Sequence, residues 1–286
     1  MVCGVFGRTR QAWYKQQRHV GFEGLHHAIL LDCVRELREG IPRIGTRKLL
    51  HMLKGPMQEH SIQIGRDKFF DLLGEHGLLV RRRRRRKAVT TDSNHPFYKY
   101  PNLVKDMSVS AAEQVWVSDI TYIRLVNDFA YLSLVTDVYS RKVVGYCLYP
   151  TLERTGPLLA VKMAIGQRTG KGRLIHHSDR GLQYCCTDYT KLMEQNNITI
   201  SMTAKGNPYE NAIAERMNGI LKHQFGLAQT FKNYTEAKAA ADKAIRIYND
   251  HCPHGSCNYL TPSEAHQKQG LLISKWKQKQ LSTPVN

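Results

Sequence analysis

Apolar and polar positions along this chain follow two different periods, and the change of period divides it. From Phe22 to Arg38 the apolar residues Leu25, Ile29, Cys33 and Leu37 recur about every fourth position, with Leu30 and Val34 alongside. That spacing predicts an amphipathic helix, which Gly40 and Pro42 stop. Two more helices are predicted over Thr46–Lys54 and Arg66–His76, across a loop holding Gly55 and Pro56. Upstream, FGRTRQAWYK fits a short helix with a basic face. Residues 1–80 therefore read as a small all-α, helix-turn-helix-like domain. If its third helix is the reading element, Arg66 and Lys68 near its N-terminus are candidates for phosphate or base-edge contacts. The competing reading is a helical bundle that only packs.

Near Ala111 the period becomes two. Val115 to Ile123 alternates, is rich in β-branched and aromatic residues, and places Val115, Val117, Asp119, Thr121 and Ile123 on one face of a strand. Phe129–Val135 and Lys142–Tyr149 are two further strand patterns joined through the turn-rich DVYSRK, so the three predict an antiparallel meander. A helix over about Thr155–Arg168, a fourth strand ending before Asp179, another helix and a strand at Ile198–Ser201 complete a mixed five-stranded sheet with flanking helices, an α/β core over residues 111–270. A helix from about Glu210 to His223 puts Ile213, Met217, Ile220 and Leu221 on one face and Asn211, Glu215, Asn218 and Lys222 on the other. Tyr234–Ile247 is predicted helical, with Ala237, Ala241, Ala244 and Ile245 on one side. Residues 81–110 read as a linker and 271–286 as a tail.

Charge sharpens this picture. The formal net charge is +18 and the pI about 9.7, with 42 basic against 24 acidic residues. Such an excess points to a polyanionic partner, nucleic acid first, because neutralising phosphates releases counterions. Arg81, Arg82, Arg83, Arg84, Arg85, Arg86 and Lys87 form an unbroken basic run. It repels itself and stays extended, which suits an arm tracking phosphates; a solvated tract or a localisation signal are the alternatives. Seven scattered cysteines make no secreted disulfide framework. No apolar run approaches the roughly 20 residues that span a bilayer, and the N-terminus lacks a secretory core, so a cytoplasmic protein with no membrane partner is expected.

Three acids carry the candidate chemistry. Asp119 lies within an apolar strand, Asp179 at a strand end before Gly181, and Glu215 on a helix. A carboxylate on a sheet face is costly unless paired or bound to a cation, and strand ends of α/β sheets are where sites collect. Taken alone, Glu215 and Lys222 would be a solvated helix face; joined to two aspartates, Glu215 completes a metal set. Hard divalent ions such as Mg²⁺ take a few carboxylates plus waters and phosphates, and a pair of them serves in-line displacement at phosphorus. Asp137 reads as a turn initiator. His176 or His177 could assist proton transfer or orient a phosphate, with strand packing the plainer role. His251, Cys252, His254 and Cys257 are zinc-ligand types, but their spacing fits no standard pair of ligand hooks.

The runs WVSDITYI, HHSDRGLQY and NPYENAIAERMNGILK resemble the integrase core of DDE transposases of the insertion-sequence-three type, specifically the downstream (OrfB) product. The resemblance extends through YNDHCPHGSCNYLTPSEAH and RIGTRKLLHML, almost the whole chain. It implies an RNase H-like fold, with Asp119, Asp179 and Glu215 as catalytic ligands of two Mg²⁺ or Mn²⁺ ions. It further implies strand cleavage and strand transfer on element ends and target DNA, with Asn211 and Lys222 as DNA contacts. Expected partners are the terminal repeats, an upstream open-reading-frame product (OrfA) or fusion with it, and further copies assembled on DNA, with nucleoid association when bound. An upstream helix-turn-helix and leucine-zipper portion is expected to lie outside this chain. The family commonly has Asp at Glu210 and Arg at Cys252. The competing readings are an RNase H-like nuclease that hydrolyses without joining and a non-catalytic DNA-binding remnant that regulates transposition.

Overall fold

The computed structural model describes residues 9–81, 95–105, 107–204 and 211–272. The basic run at 82–87, residue Glu210 with the loop before it, and the tail from 273 lie outside the described residues. The chain forms two compact units, residues 1–83 and 84–286.

The first unit is all helical: α1 (Arg10–Gly40), α2 (Thr46–Met52), α3 (Lys54–Glu59) and α4 (Arg66–Glu75). Leu30, Val34, Ile41, Ile44, Leu49, Leu53, Phe69 and Leu73 are among its buried side chains. Two expectations need correction. The first helix begins at Arg10, and Leu25 is 56% exposed on it while Leu30, Leu31 and Val34 face the core. Gly55 and Pro56 lie within α3 and not in a loop. Leu53 both ends α2 and caps α3, which leaves Pro56 in a first turn where a missing N–H costs no hydrogen bond.

The second unit is built on strands β1 (Val115–Leu125), β2 (Phe129–Asp137), β3 (Val143–Tyr149), β4 (Leu174–Ser178) and β5 (Ile198–Met202). Their order is β3-β2-β1-β4-β5, antiparallel among the first three and parallel from β1 through β4 to β5. That is the RNase H-like arrangement. A sixth strand absent from the sequence reading, β6 (Thr230–Phe231), pairs with the far end of β1. The helices are α5 (Thr155–Gln167), α6 (Leu182–Cys185), α7 (Thr187–Gln195), α8 (Ala212–Gln224), α9 (Tyr234–His251) and α10 (Pro262–His266).

Trp116, Val135, Val144, Val161, Ala164, Tyr189, Met193 and Ile200 form one continuous core cluster. Helix α5 lies so close to β3 that a Cβ on Gly145 would stand 2.1 Å from the Ala160 carbonyl oxygen. The strand edges are covered. Pro101 O accepts from Met202 N at 3.3 Å and Ser201 Oγ from Leu103 N at 2.9 Å, so the segment after His95 runs along β5. On β3, the Asn249 side chain of α9 bonds both the N–H and the carbonyl of Val143, at 3.0 and 2.9 Å. Such covers prevent pairing with other chains. Among the described residues no helix is long and apolar enough to cross a membrane.

Candidate active site

The parallel ladder between β1 and β4 pairs Val115 with Ile175, Trp116 with His176 and Val117 with His177. Two positions beyond the last pair stand Asp119, still within β1, and Asp179, the residue after the end of β4. The two acids that sequence places sixty residues apart are thus brought side by side at the point where β1 and β4 part. Asp179 leaves the strand into a turn, its Oδ1 accepting from Gly181 N at 3.1 Å.

Glu215 arrives by another route. On the edge away from β2, β1 pairs with β4 only over 115–117 and with β6 only over 124–125. Side chains of α8 occupy the interval. Asn211, the N-cap of α8, donates its amide to Ser118 O at 3.1 Å; Asn218 donates to Asp119 Oδ2 at 2.8 Å; Lys222 Nζ stands 4.0 Å from the centre of the Tyr122 ring. Glu215, exposed in the first turn, shares this stripe. The polar face read from the helical wheel is therefore the one turned toward β1, while Ala214, Met217, Ile220 and Leu221 are buried beside it. Ile213, expected with them, is only half-buried.

The electrostatics follow from this crowding. Burial raises the Asp119 carboxyl to about 7, helped by the charges of Asp179 and Glu215 and opposed by hydrogen bonds from Ile120 N and Asn218. Burial lowers the Lys222 ammonium, with Asp119 pulling the other way. Tyr184 is buried below, its hydroxyl pushed well up by burial and then by Tyr189, Asp119 and Asp179. The three carboxylates are electrostatic neighbours; among the described residues, however, no three His, Cys, Asp or Glu stand close enough to form a closed metal-ligand group.

Behind the acids, His176 Nε2 lies 2.7 Å from Ser118 Oγ and 3.1 Å from Tyr189 OH, and His177 Nδ1 lies 2.8 Å from Ser201 Oγ. Both histidines are fully buried, which is the strand-packing role. Asp137 initiates its turn, accepting from Ser140 N and Oγ, each at 2.8 Å, and from Glu113 N. Cys252 is fully buried, so the chain offers packing at that position and no surface contact. Arg66 and Lys68 are exposed on α4, Arg66 in an ion pair with Asp67 at 2.8 Å; Arg81 is exposed as well.

Two residues whose partners the sequence concealed are Asn218 and Ser118. The signal for Asn218 was its position three after Glu215 on one face, but the strand it meets is nearly a hundred residues away.

Integrase core domain models match residues 109–208 and 196–262. A 31 kDa protein of insertion element IS600 from Shigella sonnei is 33% identical over 273 residues, covering 93% of this chain and 98% of that one. The chain belongs to the integrase-core family of insertion-sequence transposases. Within that family it is also 33% identical over 167 residues to the transposase InsF of insertion sequence IS3A from Escherichia coli, a match spanning 58% of each chain. Among solved structures, this integrase-core chain is similar to the HTLV-2 integrase catalytic core domain in complex with magnesium, at 19% identity and a TM-score of 0.45 over 55% of this chain and 97% of that one. A simian T-cell lymphotropic virus intasome aligns at 16% identity and a TM-score of 0.49, over 82% and 74%.

Proposed function

We propose that this chain cleaves DNA at the ends of an insertion sequence and transfers the freed strand to target DNA, using Asp119, Asp179 and Glu215. The observation that carries the reading is the register that sets Asp119 beside Asp179, with the Glu215 helix bonded to the same strand.

A divalent metal fits the residues present. The donor set is oxygen only, which suits a hard cation. Negative charge gathered around Asp119 is a repulsion that a cation would offset. Asn211 Oδ1 and Asn218 Oδ1 are buried acceptors with no hydrogen-bond partner among the described residues, on the helix face that carries Glu215. Asp119, Asp179 and Glu215 would hold two Mg²⁺ or Mn²⁺ ions, which when bound activate an attacking oxygen and stabilise a leaving oxygen at phosphorus.

The chain's own residues do the rest. Lys222, held over Tyr122 and within reach of Asp119, meets a phosphate of the terminal DNA. Asn211 is 6% exposed with its amide donated to Ser118 O, so it positions the Glu215 helix in place of touching DNA. In the helical unit, the exposed Arg66 and Lys68 serve phosphate contact, joined by Arg81 and the basic residues after it. Further copies and an upstream partner complete the assembly on two DNA ends.

The test is joining of a labelled duplex bearing the terminal repeat that flanks this reading frame, with Mg²⁺ or Mn²⁺, in the parent chain and Asp179→Asn. Joined product that the substitution abolishes supports the reading. Cleavage without joining would turn it into a hydrolytic nuclease, and binding without reaction, even with the upstream partner added, into a regulator of transposition.

A further inference from the structure

Asn218 is buried on α8, three residues after Glu215, and among the described residues its side chain bonds a carboxylate. We propose that Asn218 is a positioning residue for divalent-ion binding, holding the Asp119 carboxylate in its ligating orientation from the same helix that carries Glu215. The inference rests on the metal-dependent reading above and adds to it a residue that never touches the ion.

The geometry is a two-point hold. Asp119 Oδ2 accepts from Asn218 at 2.8 Å and Oδ1 from Ile120 N at 2.9 Å. One donor on each oxygen fixes the carboxylate plane, and because each oxygen offers about two lone-pair sites, one on each remains for a cation. An ionised carboxylate can only accept, so the amide nitrogen of Asn218 has to face it. Ligating carboxylates are commonly steadied in this way by outer hydrogen-bonding groups.

The contrast with other asparagines of this unit separates the role from simple packing. Asn211 fastens α8 by bonding the Ser118 carbonyl, and Asn249 fastens α9 by bonding Val143 N and O. Both bond main chain, as a helix-to-strand fastening does. Asn218 instead bonds one of the three acids, and it stands next to Glu215 on the helix surface at spacing i,i+3. A single bond therefore relates the orientation of the first acid to the placement of the third.

The experiment is calorimetric titration of Mn²⁺ into the full chain without DNA, for the parent, Asn218→Leu, Asn218→Ala, Asp179→Asn and Asn249→Ala, with circular dichroism to verify folding. Leucine keeps the branching of asparagine and removes the donor, so it serves where alanine fails to fold. Expected is a roughly 10–100-fold weaker Mn²⁺ affinity in folded Asn218→Leu and Asn218→Ala. Asn249→Ala should lose thermal stability and bind as the parent does. Parental affinity in Asn218→Leu overturns the proposal, and so does equal weakening in Asn249→Ala, which would mark a loss of stability and nothing more. If the parent binds no Mn²⁺, or Asp179→Asn binds as tightly as the parent, the metal reading falls first and the role of Asn218 falls with it.

Discussion

Lys222 Nζ stands 4.0 Å from the centre of the Tyr122 ring, so the ammonium at the far end of the α8 stripe rests on an aromatic face of β1. A cation over a ring is attracted by its quadrupole, by about 0.5–1 kcal/mol where the pair is partly exposed. Tyr122 is 40% exposed, so the lower end applies. The ring aims the charge and leaves its outer side to solvent.

That division of labour separates two substitutions. On its proposed role Lys222→Ala removes one phosphate contact, so the slope of log affinity against log salt should fall by about 0.9 when DNA binding is followed across salt concentrations. Tyr122→Leu keeps the charge and loses the rest beneath it. Binding should weaken about two-fold with the slope unchanged. A slope identical to the parent in Lys222→Ala would remove Lys222 from the interface.

His176 makes the fold sensitive to acid. Burial, with the neighbouring His177, pushes its imidazole down to about 3, and the rings of Tyr184 on α6 and Tyr189 on α7 close over it at 6.2 and 5.5 Å, with Ser118 of β1 on the remaining side. In the unfolded chain it titrates near 6.5. The unfolded state therefore binds a proton that the folded state refuses over the whole window from pH 6.5 down to 3. Stability is complete above that window and falls as pH drops through it, by ~2 kcal/mol between neutrality and pH 5. His176→Gln should shrink the difference between urea midpoints at pH 7 and pH 5. An undiminished difference would show that other groups cause it.

Two glycines one helix apart should respond in opposite directions. A Cβ on Gly145 would meet Ala160 O at 2.1 Å and Ala164 N at 2.8 Å, both backbone atoms that cannot swing aside. Gly145→Ala should cost on the order of 1–3 kcal/mol or more. Gly166, on the exposed side of α5, has nothing within 4 Å of its added Cβ. Gly166→Ala should stabilise by about 0.5–1 kcal/mol through helix propensity. Urea unfolding of the two variants measures both signs.

The strands and the three acids were legible because period two and an ionisable residue in an apolar run are local signals. Val115, Val117 and Asp119 announce a strand and its oddity within five residues. The α8 wheel likewise grouped Asn211, Glu215, Asn218 and Lys222. What that face meets was not legible, since a polar stripe looks the same whether water or a strand edge receives it. Pro56 misled because a proline reads as a break unless the first turn of a new helix happens to hold it. The two-residue β6 is too short for any periodicity, and only pairing with Arg124 and Leu125 defines it.

The sharing of β1 among β4, α8 and β6 has a consequence for how the molecule comes into being. The β1–β2 hairpin closes a short loop and can form early, whereas the bonds Asn211 and Asn218 make to β1 span 93 and 99 residues. Contacts of that separation are slow to form, because their loops must close before they give anything back. The trio of acids is therefore among the last things the chain assembles. Whatever chemistry needs the three acids together therefore waits until the long-range contacts of β1 are made.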